Sequence, residues 1–115
     1  MNLVPLLVLA MAGVGGLGAA SYRQSEIDVG KAVYDGRKCA TCHMVAGKGN
    51  IRFPLDGVAS RLSVEDLRRW LTDTAEMEGA LPRQPAVRMS EWMDTNRKIN
   101  ERDRVALVTY LASLK

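Results

Sequence analysis

Cys39-Ala40-Thr41-Cys42-His43 is the run whose residue types and spacing can do chemistry together. Two thiols three positions apart both reach vinyl groups of one porphyrin and can become thioethers. The histidine directly after the second thiol is then held under the iron, where its imidazole nitrogen is the proximal ligand. A redox C-x-x-C needs a βαβ setting and no histidine, and no strand pattern precedes Cys39. A structural zinc site needs four ligands, whereas this run contains both cysteines and the sole histidine of the chain. The run therefore reads as the attachment site of one covalent haem c, with Cys39, Cys42 and His43 holding it.

A chain of 115 residues fits a single domain. With two Trp, three Tyr and one Phe, its own apolar core is modest, and a haem would supply a large apolar centre. The net charge is +3, and two propionates would bring it near +1. No basic run of five or more occurs and aromatics do not interleave with basic residues, which argues against nucleic acid as a partner. No disulfide framework is available. The only histidine is committed to iron, so no general base is on offer, and the chain reads as a carrier without a small-molecule substrate, not as an enzyme by itself.

Leu3 to Ala20 carries no charge. Its eighteen residues make a helix of about 27 Å, close to the hydrocarbon thickness of a bilayer. A cleaved signal peptide would have a basic n-region; only Asn2 precedes the apolar run, although Gly18-Ala19-Ala20 would suit cleavage. A retained anchor over residues 1–21 is the favoured expectation, followed by a tether over 22–26 and a haem domain over 27–115. Ala12, Gly16 and Ala20 form a small-residue stripe that lets a neighbouring membrane helix approach. Arg23 gives no positive-inside support for an external domain, but covalent haem attachment takes place outside the cytoplasmic membrane.

Several elements must position the haem run. A helix is expected from Ile27 or Asp28 to about Arg37, with Val29, Gly30, Val33 and Tyr34 on one face. Gly30 costs roughly 1 kcal/mol inside a helix, which points to close approach of another element. Ala46–Ile51 reads as a loop and Phe53-Pro54-Leu55-Asp56-Gly57 as a turn. Ser63 with Asp66 makes an acidic capping box for a helix from Val64 to about Thr74, with Leu67, Trp70 and Leu71 inward. Glu76–Val87 contains Gly79, Pro82 and Pro85 and reads as a loop; Met89–Met93 mixes apolar and polar residues. Asn100 caps a last helix with Glu101 and Asp103 in its first turn. Val105, Leu107, Val108, Leu111 and Leu114 form its expected buried face, beside Tyr110.

Residues 27–115 resemble the class I monohaem cytochromes c. In that family a Gly and an aromatic four residues later cross a Leu-x-x-Tyr-Leu run, and Gly30/Tyr34 and Leu107/Tyr110/Leu111 match them. The resemblance implies an all-α fold: crossed N- and C-terminal helices around a covalent haem, here preceded by one transmembrane helix. It implies that a carbonyl in the 53–57 turn, from Phe53 or Pro54, orients His43. It also implies a Met sulfur as sixth ligand, from a loop before the last helix. Of the six Met, Met1 and Met11 belong to the N-terminal segment and Met44 adjoins His43. Met89 follows the Pro85 stretch and precedes Trp92, and fits best; Met93 is the alternative, and Met77 also remains. Trp70, Trp92, Arg61, Arg83 and Arg88 are candidate propionate partners.

The implied function is one-electron transfer by a single-pass, membrane-anchored carrier with its haem on the periplasmic, extracytoplasmic side. Its expected partners are redox proteins and membrane-embedded subunits of a respiratory or photosynthetic complex, such as a quinol-oxidising complex, a terminal oxidase or a reaction centre. The alternative is an open distal site for gas binding or peroxidatic chemistry. Against it, no spare histidine exists, and the haem run lies toward the front of the chain, unlike that of the four-helix cytochromes c′.

Overall fold

The structure, a computed structural model, describes residues 15–96 and 99–115, with side chains from residue 21 onward. Among the described residues, six helices and a very small sheet surround the main cavity. Helix α1 spans Gly15–Gly36 and crosses α6, Glu101–Ala112, in the most extensive helix contact of the fold. Gly30 sits at the crossing. A Cβ there would overlap the Ala106 carbonyl oxygen and stand 2.6 Å from the Tyr110 Cβ. Tyr34 and Tyr110 meet edge to face beside it, with ring centres 5.6 Å apart. The crossed-helix expectation, and the reason for a glycine at 30, both hold.

Several expectations are corrected. α1 is already helical before Ile27. Residues 22–26, read as a tether, continue the helix, with Ser25 Oγ donating to the Ser21 carbonyl and Gln24 Nε2 to Asp28 Oδ1, each at 3.0 Å. No Pro or Gly between 21 and 29 interrupts it. Val29 is 53% exposed, because the crossing is centred on Gly30 and one residue of helix turns the neighbour about 100° away. Val105 is likewise exposed on the flank of α6, whose buried stripe is Leu107, Val108, Tyr110 and Leu111. Leu114 lies beyond the end of α6; it packs partly against the core, and its carbonyl accepts from Ala59 N at 2.9 Å. The anchor expected over 1–21 falls mostly outside the described residues; among the described residues no helix is long and apolar enough to cross a membrane.

Between α1 and α6 the chain makes short elements. A 3-10 turn, Cys39–Thr41, leads into β1, His43–Val45. β1 pairs antiparallel with β2, Lys48–Gly49, and parallel with β3, Phe53–Pro54, where a loop and a turn were expected. The reversal uses left-handed backbone at Ala46 and Gly47, φ 50° and 78°. α2 is Val58–Arg61 and α3 is Val64–Thr72. The Ser63 capping box forms as expected, with Asp66 N donating to Ser63 Oγ at 3.1 Å, and Asn100 caps α6 through Asp103 N at 2.9 Å.

α3 stops two residues early. Thr74 Oγ1 donates to the Trp70 carbonyl at 2.7 Å, and a side-chain donor of this kind competes with the helical ladder. α4, Thr74–Gly79, then occupies part of the expected loop. α5, Met89–Thr95, makes a helix of the unassigned Met89–Met93 stretch. Gly79, Pro82 and Pro85 keep the intervening segment irregular. The buried core consists of Tyr34, Val58, Leu67, Met93, Ile99, Leu107, Val108, Tyr110 and Leu111.

Candidate functional site

Lys38, in left-handed backbone at φ 59° and ψ 35°, ends α1 and swings the chain into the Cys39–Thr41 turn. Thr41 N donates to the Lys38 carbonyl at 3.0 Å and Cys42 N to the Cys39 carbonyl at 3.2 Å. The turn brings both thiols and the His43 ring to one cavity of about 540 Å³, within the size range of cofactor sites. Neither cysteine is in a disulfide. Burial pushes the Cys39 thiol up to about 11, so at neutral pH it is S–H and not a reactive thiolate.

His43 Nδ1 lies 2.9 Å from the Phe53 carbonyl oxygen. A carbonyl only accepts, so Nδ1 is the protonated nitrogen and Nε2 keeps a free lone pair. Burial lowers the imidazole below its ordinary value, which favours the neutral, ligating form. Of the two carbonyls the sequence left open, Phe53 supplies the contact. Gly49 permits the tight packing against the His43 backbone: its φ is +108°, and a Cβ there would overlap the His43 carbonyl oxygen.

Met89, in the first turn of α5, lines the same cavity as Cys39, Cys42 and His43, whereas Met77 and Met93 do not. Met93 is buried in the core and borders a separate pocket of about 300 Å³ with Thr74 and Ile99. Trp70 and Trp92 both line the main cavity, as do Arg61 and Arg88; Arg83 does not. Lys38 and Arg52 add further cations to its wall, and Arg61 Nη1 donates to the Asp56 carbonyl at 3.1 Å. The Arg37 guanidinium lies 6.0 Å from the Trp92 ring centre.

Tyr34 and Glu78 are among the cavity residues that escaped the sequence reading of the site. Tyr34 was placed only in the helix crossing, yet its ring also lines the cavity. Its hydroxyl is buried with no hydrogen-bond partner among the described residues. Buried orphan hydroxyls are uncommon, and a group in the cavity that carries an acceptor would satisfy this one. Glu78, buried at the end of α4, reaches the start of α5. Its carboxylate accepts from Met89 N at 2.7 Å and Ser90 N at 3.2 Å. No local pattern announced it, because the bonds join residues eleven and twelve apart across an irregular segment.

The donor set fits a covalently held haem. Two thiols and an oriented imidazole line the cavity together with a thioether. Its walls are otherwise mainly apolar, including Leu55, Val58, Leu67, Leu71, Leu107 and Leu111. Neither curated proteins nor solved structures gave a significant match to the chain. The family model described as Cytochrome c matches residues 27–115. Members of that family carry covalently bound haem c and transfer electrons, and this chain belongs to the cytochrome c family.

Proposed function

We propose that the chain is a class I, single-haem carrier of one electron at a time, with His43 and Met89 as axial ligands. The observation that carries this reading is the convergence of Met89 with Cys39, Cys42 and His43 on one apolar cavity. Cys39 and Cys42 would each add S–H across a vinyl group, sulfur bonding to one carbon and the hydrogen passing to the other. His43 would bind through Nε2, its Nδ1–H held by Phe53. Met89 would bind through its sulfur. The haem supplies a metal centre that gains and loses one electron. His43 and Met89 would hold its iron and leave no position open to small ligands; Leu67, Trp70, Leu71 and Leu111 form part of the apolar enclosure that would keep water out.

The chain acts without a substrate of its own, as a carrier or as one subunit of a larger oxidoreductase. The uncharged Leu3–Ala20 segment supports a single-pass anchor, and the site of covalent haem attachment supports a haem domain outside the cytoplasmic membrane. Anchoring would hold the haem near redox partners in a respiratory or photosynthetic membrane complex at high effective concentration.

The test is the absorption spectrum of the full chain, oxidised and reduced, with haem counted per polypeptide, beside Met89→Ala. One haem c per chain and a low-spin spectrum with the weak far-red sulfur-to-iron band, lost in the variant, are expected. A high-spin wild type that binds carbon monoxide readily would overturn the reading in favour of an open distal site. Recovery of the chain in washed membranes is expected of the anchor; release by the wash would overturn it.

A further inference from the structure

We infer that Glu78 is the positioning residue for Met89, clamping the backbone from which the axial sulfur is presented. The first amides of a helix have no acceptor within it. Arg88, which precedes α5, offers no side-chain cap. Glu78 takes over that role from another helix, with one carboxylate oxygen on Met89 N at 2.7 Å and the other on Ser90 N at 3.2 Å. Its own carbonyl accepts from Gln84 Nε2 at 2.9 Å, which ties down the segment between α4 and α5. Glu78 is 4% exposed and lines the cavity. Burying a carboxylate is costly unless it is hydrogen-bonded, so its place here is explained by the amides it holds. The two bonds satisfy successive amides that the helix itself leaves without an acceptor. They fix Met89 at its own backbone, next to a neutral thioether that forms only a weak bond to iron.

This inference rests on Met89 as axial ligand, so the test includes Met89→Ala. In the ferric, haem-loaded full chain, the far-red band is followed on heating alongside helix content and the reduction potential. Wild type is compared with Glu78→Ala, Glu78→Gln and Thr74→Val. Glu78→Gln keeps one acceptor and turns an NH2 toward the other amide. Thr74→Val removes the bond to the Trp70 carbonyl at a residue that does not itself line the cavity, and serves as the control for mere loss of stability.

The expected result is that both Glu78 variants lose the band well below the temperature at which the helices melt. The fraction of molecules with Met89 dissociated should rise at least about tenfold, with a lowered potential. Thr74→Val should lower the melting temperature and leave band and helices melting together. Should Glu78→Ala fail to fold, Glu78→Gln carries the test. Band and helices melting together in both Glu78 variants, as in Thr74→Val, would overturn the inference and leave Glu78 as a helix cap alone. A band that survives in Met89→Ala would overturn the ligand assignment and the inference with it. Loss of the band in Met89→Ala, with wild-type behaviour in both Glu78 variants, would overturn the inference only.

Discussion

His43 and Phe53 are register partners in the parallel β1–β3 pair, and the same two residues are joined a second time by the 2.9 Å contact from His43 Nδ1 to the Phe53 carbonyl. The strand pairing thus sets the ring orientation. Pro54 follows Phe53 directly and restricts the backbone that holds this carbonyl. Pro54→Ala should destabilise the protein by about 0.4–1 kcal/mol through greater freedom of the unfolded chain. A looser carbonyl makes the imidazole less basic, which favours ferrous over ferric iron, so the reduction potential should rise. Denaturant midpoints and a redox titration check both. An unchanged potential would mean that the Leu55 N to Met44 carbonyl bond at 2.8 Å holds the strand unaided.

Gly30 and Gly36 predict opposite signs for one substitution. A Cβ at Gly30 meets backbone of α6 that cannot move without separating the helices. Gly30→Ala should therefore cost about 1–3 kcal/mol or more. At Gly36, the last residue of α1, a Cβ meets nothing within 4 Å, and its φ is not positive. Gly36→Ala should stabilise by about 0.5–1 kcal/mol. Urea midpoints of the two variants separate the roles: if both substitutions stabilise, the crossing is looser than its geometry indicates.

Met89 and Met93 lie four positions apart on one short helix yet have different surroundings. Met93 is 6% exposed and belongs to the core. Met93→Ala should cost about 2–5 kcal/mol by cavity creation while keeping the far-red band. Met89 is half-buried at the cavity wall, and Met89→Ala should abolish the band. Parallel spectra and denaturation curves check the pair. Exchange of the two phenotypes would make Met93 the ligand.

The features that were legible in the sequence are those that depend on neighbours in the chain. The C-x-x-C-H run uses both cysteines and the sole histidine, and Ser63/Asp66 and Asn100/Asp103 cap their helices through bonds three residues long. Gly30 was legible because a glycine inside a helix needs a tertiary reason. α4 and α5 were not, since helices of six and seven residues are too short to stand on propensity and form through packing. The strands of the small sheet are two or three residues long, below any detectable alternation. Glu78 was invisible for a third reason: its partners lie across an irregular segment. Val29 and Val105 were misplaced because the edge of an apolar stripe is set by where two helices cross, which neither helix encodes alone.

Tyr34 gives a prediction in pH. Burial pushes its phenol up to about 12 from an ordinary value of 10.0. The folded chain keeps the proton where the unfolded chain releases it, so unfolding is favoured as pH rises between the two values. The contribution is complete below about pH 10 and is lost as pH climbs through about 12. Tyr110, packed on Tyr34, is also raised by burial, so the absolute slope is shared between two rings. Tyr34→Phe isolates the first. The urea midpoint of the haem-loaded chain should fall more steeply in wild type than in Tyr34→Phe across that window. Equal slopes would mean that the Tyr34 hydroxyl releases its proton as readily in the folded chain as in the unfolded one, and that burial does not hold it back.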